Sequence, residues 1–383
     1  MKKILITVIF LMISGSLAQA QWAIMRSDAD SLVQIGIDKI YNVEFDEAED
    51  IFKEVIDRYP DHPVGYFLDA MVDWWKITLY RFTDRFDDSF LKKINKVIEV
   101  SDRHLEDNPY DVVMLFFKGG ALGFRGRYHA QRENWIKAAS DGKDAFNIMI
   151  KCQKIAPTNK DIMLGTGIYN YFAVAIPEKY PMVKPFTVFL PRGDKEIGLL
   201  QLKAAAKHAR YAAVEAKVVL LQIYYSFEND LTKALQAAQT LHGKYSDNPY
   251  FHRYLGRAYV RRGMYDQMEA TWREVLKRCI ARKTGYDNLT AREAMYYIGT
   301  SLMRSGDYEM ALKYFYKADE GSRKLDKDGP SGFMIETNLK IGQIFDLQGK
   351  RKYAKGQYEK VLRMDEYGNS HDEARKYLQT PYK

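Results

Sequence analysis

Arg253, Arg257 and Arg261 stand at i, i+4 and i+8, a spacing that sets three guanidinium groups on one face of a helix. Guanidinium forks grip carboxylates bidentately, so such a face would select an acidic peptide or a chain-terminal carboxylate. A plain solvated cationic face is the other reading of the same spacing. The remaining residue types offer no reaction centre. None of the seven histidines, at 62, 104, 129, 208, 242, 252 and 371, pairs with another histidine or a cysteine at metal-ligand spacing. No serine sits in a nucleophile elbow, and no glycine-rich loop ends in Lys-Ser or Lys-Thr. The carboxylate pairs Asp46 with Glu47 and Asp87 with Asp88 open helices, where the helix dipole accounts for them. The sequence therefore predicts no enzyme, no catalytic residue, no metal site and no cofactor.

The elements that must position the arginine face repeat. Gly256, Gly299 and Gly342 recur every 43 residues, each followed by a second glycine and then by small and bulky residues in a fixed order. The clearest copy runs Gly299, Gly306, Tyr308, Ala311, Phe315, Ala318, beside Gly256, Gly263, Tyr265, Met268, Trp272, Val275 and Gly342, Gly349, Ala354, Tyr358, Val361. Small residues at these places let two antiparallel helices approach closely and stack on the next pair. The pattern resembles the tetratricopeptide repeat. That resemblance implies an all-α fold, an α-solenoid in which antiparallel helix pairs form a right-handed superhelix with a concave groove. It also implies that Tyr250, Arg253, Arg257 and Arg261 line this groove, with Tyr296 and Arg304 from the next repeat, as the candidate partner-binding residues.

Four segments follow: a leader at 1–20, a first repeat-like helix pair at 21–60, a divergent helical region at 61–246, and three clear repeats with a capping helix at 247–383. The first pair places Gly36, Phe45, Ala48, Phe52, Val55 and Pro60 at repeat positions. In the divergent region, Gly165-Thr166-Gly167-Ile168-Tyr169-Asn170, then Pro177, then Gly193-Asp194-Lys195-Glu196-Ile197-Gly198 resemble the conserved block of the tetratricopeptide repeat protein 39 family. This implies a helical scaffold and carries over no catalytic residue. Glu178 and Lys195 stand where that family has a second proline and an arginine. Between these blocks, residues 176–193 hold four of the eleven prolines, at 177, 181, 185 and 191, which predicts an interruption of regular helix. Its apolar residues, among them Met182, Phe186 and Phe189, fit two readings. The insertion folds back as core, or it forms a lid or contact surface for a lipid, another apolar ligand or a partner chain.

The leader opens with Lys2 and Lys3, continues through apolar Ile4 to Ile13 and ends in Ala18-Gln19-Ala20, the order of a secretory signal cleaved before Gln21. Export to the periplasm or outside of a Gram-negative cell is expected. No later run reaches the roughly 20 apolar residues that spanning requires, which predicts no integral span after cleavage and leaves peripheral envelope association open. Loss of the two lysines takes the net charge from +8 to +6. With export, so small an excess argues against nucleic acid. Cys152 and Cys279, the only two cysteines, read as separate buried thiols, with a disulfide as the alternative. The functional expectation is a protein-interaction scaffold presenting its groove to a peptide or protein. The alternative is a binder of a lipid or other apolar ligand through 176–193.

Overall fold

The computed structural model describes residues 29–188 and 190–383; the leader with its cleavage site, and Phe189, lie outside them. The described residues form antiparallel helix pairs with no strand. They group into two compact units, the first ending at Tyr245 and the second running Ser246–Lys383.

The first unit pairs α1 (Asp30–Tyr41) with α2 (Phe45–Arg58), α3 (Pro63–Leu79) with α4 (Asp87–Asp107), and α5 (Val112–Gln131) with α6 (Trp135–Ile155). Then come α7 (Ile162–Lys179), a 3-10 turn Pro181–Val183, α8 (Lys184–Thr187), α9 (Lys195–His208), α10 (Ala213–Ser226) and α11 (Leu231–Lys244). Starts are chemically marked. Asp111 accepts the amides of Val113 and Met114 at 2.9 and 3.1 Å, and Asp194 accepts that of Ile197 at 3.0 Å, so side chains satisfy donors that a helix end leaves orphaned.

Helix α7 runs on through Pro177 to Lys179, so the interruption begins at Tyr180 and not at Ile176. Pro177 lies in the last turn, where one lost ladder bond is tolerated. The glycines of the 165–198 block bring α7 against α9. A Cβ on Gly198 would lie 2.6 Å from the Tyr171 amide nitrogen, and one on Gly167 would lie 3.1 Å from the Gly198 carbonyl oxygen. These two backbones touch, which no larger residue would permit.

The first unit closes on itself. On α1, Asp30 accepts hydrogen bonds from Arg210, whose Nε lies 3.0 Å away, and from the Tyr211 hydroxyl. One and two turns later, Gln34 donates to the Arg210 carbonyl and Asp38 accepts from the Tyr245 hydroxyl at 2.7 Å. Arg210 holds the Asp30 carboxyl below the usual carboxylate range.

The second unit contains three pairs: α12 (Pro249–Arg261) with α13 (Tyr265–Ile280), α14 (Asn288–Arg304) with α15 (Tyr308–Leu325), and α16 (Gly332–Leu347) with α17 (Arg351–Val361). Helix α18 (Ser370–Gln379) packs on the last pair. In each pair the glycine of the first helix faces a fully buried ring of the second. A Cβ would lie 2.6 Å from Trp272 at Gly256, 2.9 Å from Phe315 at Gly299 and 2.6 Å from Tyr358 at Gly342. The second glycines, Gly263, Gly306 and Gly349, turn the chain at φ of 66°, 85° and 71°, a left-handed conformation open to glycine without cost.

Gly299→Leu should overpack the α14–α15 crossing and cost about 1 to 3 kcal/mol or more. Urea denaturation measures it; an unchanged midpoint and slope would remove Gly299 from the crossing.

Candidate functional site

The six groove residues of the second unit do not form one open face. Tyr250 is buried, and Arg253, 2 % exposed, donates from Nη1 to the Thr290 hydroxyl at 3.4 Å. Arg257 grips Glu293 with Nε and Nη2, the latter 2.7 Å from Oε2. Glu293 is only 1 % exposed. The bidentate carboxylate partner that the spacing of the arginines calls for is thus supplied by the next repeat of the same chain. Arg261 and Arg304 are exposed. Arg304 stacks over the Tyr265 ring at 3.9 Å, and half-buried Tyr296 packs edge-on against Phe333 with centroids 5.5 Å apart. Sequence spacing identified the helix face but not the acid opposite it.

The first unit contains a feature that sequence reasoning missed, an apolar chamber of about 310 Å³. Helices α1, α3, α5, α6, α7 and α10 line it, together with Val183, Phe186, Thr187 and Leu190 from the proline-rich segment. Rings supply much of the wall, including Phe67, Phe117, Phe124, Phe146 and Trp75. The polar wall groups bond to the protein itself. Arg127 Nη1 meets Glu215 at 2.9 Å, Tyr169 donates to the Pro191 carbonyl at 2.9 Å, and Asp161 accepts the amides of Tyr211 and Ala212 at 2.8 Å each. Of the candidate apolar contacts, Phe186 lines the chamber while 39 % exposed, and Met182 projects outward at 77 % exposure. The signal available in the sequence was the run Gly119, Gly120, Gly123 and Gly126 on α5, all four of which line the chamber.

Among the described residues no group of three or more His, Cys, Asp or Glu is placed to hold a metal, and no helix is long and apolar enough to cross a membrane. Cys152 and Cys279 are free thiols, one in each unit, and burial pushes both up to about 12. The nucleophilic thiolate is therefore scarce at neutral pH.

These helix pairs, locked by glycine against a buried ring, define an all-α repeat protein. Residues 293–318, within α14 and α15, match the family model of the tetratricopeptide repeat, a repeat that generally serves as a protein-interaction scaffold. No curated protein matches the chain. Three solved structures are similar to it. The C-terminal part of a tetratricopeptide repeat-containing protein from Cytophaga hutchinsonii aligns at 14 % identity over 76 % of this chain and 99 % of its own, with TM-score 0.44. A tetratricopeptide repeat protein from Parabacteroides merdae aligns at 11 % identity over 82 % and 99 %, with TM-score 0.33. A Rap protein complexed with competence and sporulation factor aligns at 14 % identity over 91 % and 78 %, with TM-score 0.32.

Arg257→Gln should destabilise the second unit by about 3 to 5 kcal/mol, because it removes the bidentate cation from a carboxylate held away from water. Arg257→Gln with Glu293→Gln should recover much of that loss. Chemical denaturation of the three proteins gives the comparison, and a single variant as stable as the parent would show that Glu293 has other support.

Proposed function

We propose that this chain is an exported, non-enzymatic interaction scaffold that works in the periplasm or outside a Gram-negative cell. The observation that carries the reading is the repeated glycine-to-ring helix pair of the second unit, which includes the matched tetratricopeptide repeat. Pairs of this kind bury their apolar faces only by stacking, and the first helix of each is left to meet a partner. The likeness of the 165–198 block to the tetratricopeptide repeat protein 39 family supports a scaffold as well. An acidic partner segment would be met by Arg261 and Arg304, the two arginines of this set that are exposed. A second reading, an apolar ligand held in the first unit, is favoured by the chamber.

Two measurements test the scaffold. Intact mass and N-terminal sequencing of protein from its native envelope should give an unacylated chain beginning at Gln21; a chain retaining Met1 would overturn export with cleavage. Pull-downs from the envelope fraction should recover a defined partner with the parent protein. Arg261→Gln with Arg304→Gln should lose that partner at unchanged circular dichroism, as both side chains are exposed. Equal recovery would remove these arginines from recognition.

A further inference from the structure

The chamber of the first unit is unexplained by a scaffold that works through the repeats of the second. We propose that it binds one hydrocarbon chain of an amphiphile, methyl end innermost, with the polar head left at the mouth beside residues 181–188. This rests on the second reading above, an apolar ligand held in the first unit, and is independent of the protein-partner reading.

Size and chemistry set the class of guest. A chamber of about 310 Å³ is at the lower end of the roughly 300 to 1,000 Å³ range of sites that enclose small molecules. Its wall is aromatic and aliphatic, and the charges that reach it are already spent on one another, Arg127 on Glu215 and Asp161 on backbone amides. A charged guest would find no free counter-charge in these groups. Apolar cavities stay dry and take apolar guests.

Two glycines show that the space is kept open at a cost. Gly119 sits in a close contact, where a Cβ would push the Met149 methyl aside and press on Ile148. Gly123 and Gly142 also line the chamber, yet a Cβ at 123 would meet nothing nearer than 3.9 Å and one at 142 nothing within 4 Å. Both lie inside helices, where glycine is unfavourable relative to alanine. Helix crossing does not demand them, and a large side chain at either place would narrow the chamber.

The mouth lies at the proline-rich segment. Phe186 is the only described lining residue in the exposed class. Val183 is buried inward, while Met182 and Val188, 77 % and 71 % exposed, face outward. Lys184 and Arg192 flank them, while Lys179 is turned to the Ser226 carbonyl. Apolar tips among basic residues suit the headgroup region of an anionic bilayer, so the guest's source is a bilayer phospholipid or a free fatty acid, both presenting the same chain.

The full mature chain, delipidated on a hydrophobic resin, is titrated with N-phenyl-1-naphthylamine, an uncharged apolar fluorophore. Saturable binding of one probe per chain is expected, with displacement by palmitic acid. Gly142→Phe and Gly123→Leu, which project side chains into the open space, should each weaken probe binding at least tenfold at unchanged circular dichroism. If one fails to fold, the other decides. A second arm incubates the protein with phosphatidylglycerol vesicles, repurifies it and weighs what it carries. Retained phospholipid marks a bilayer source, and displacement by palmitic acid alone marks the free acid. The assignment is overturned by absence of probe binding, by full binding in the folded filling variants, or by a probe that palmitic acid does not displace from a protein that also retains no phospholipid.

Discussion

The contact of a glycine on one helix with a fully buried ring on the next is the constraint on which the helix pairs depend. Gly36 meets Phe52, Gly256 meets Trp272, Gly299 meets Phe315 and Gly342 meets Tyr358, each ring sixteen residues after its glycine. The glycine lets the ring sit against bare backbone, and the close-packed interior that follows leaves no room for a methyl group. Because each pair is fixed locally, the first helices of successive pairs acquire set positions. Side chains such as Arg257 and Glu293 then meet across repeats.

Sequence legibility follows the chemistry of the turns. Within each of the three helix pairs of the second unit the left-handed turn residue is glycine, so the repeats at Gly256, Gly299 and Gly342 stand out. In the first unit the same conformation falls on Val43 and Glu133, at φ of 58° and 57°, between α1 and α2 and between α5 and α6. A non-glycine residue there costs about 1 to 2 kcal/mol and removes the second glycine of the pattern, leaving the first pair marked by Gly36, Phe45, Ala48, Phe52, Val55 and Pro60. Helix starts in this unit still carry a legible mark, the capping aspartates Asp111 and Asp194. The extent of α7 carries none, because a proline in a last turn looks the same in sequence as one that ends a helix.

The candidate sites were legible to different depths. Periodicity placed Arg253, Arg257 and Arg261 on one helix, but it carries no information about the facing helix, where Glu293 and Thr290 absorb two of the three. The chamber was less accessible still, since six helices and a loop contribute to it. Its local trace was a group of glycines on α5 that reads equally well as a close helix crossing. Gly119 fits that reading and Gly123 does not, a distinction that exists only in three dimensions. The proline-rich segment divides likewise, with Val183 inside and Met182 outside a segment of uniform apolar composition.

The closure of the first unit sets an order of assembly. Its bonds join residues 174 to 207 positions apart, from Tyr41 with Glu215 to Asp38 with Tyr245, whereas the glycine-to-ring contacts close over sixteen. Long loops cost more entropy to close and do so later. During synthesis from the N-terminus, α1 and α2 can pair at once, but α1 has no partner for Asp30 or Asp38 until the chain has grown past Tyr211 and Tyr245. The chamber is therefore a late product of the folding of this unit, open to its surroundings while most of its wall already stands.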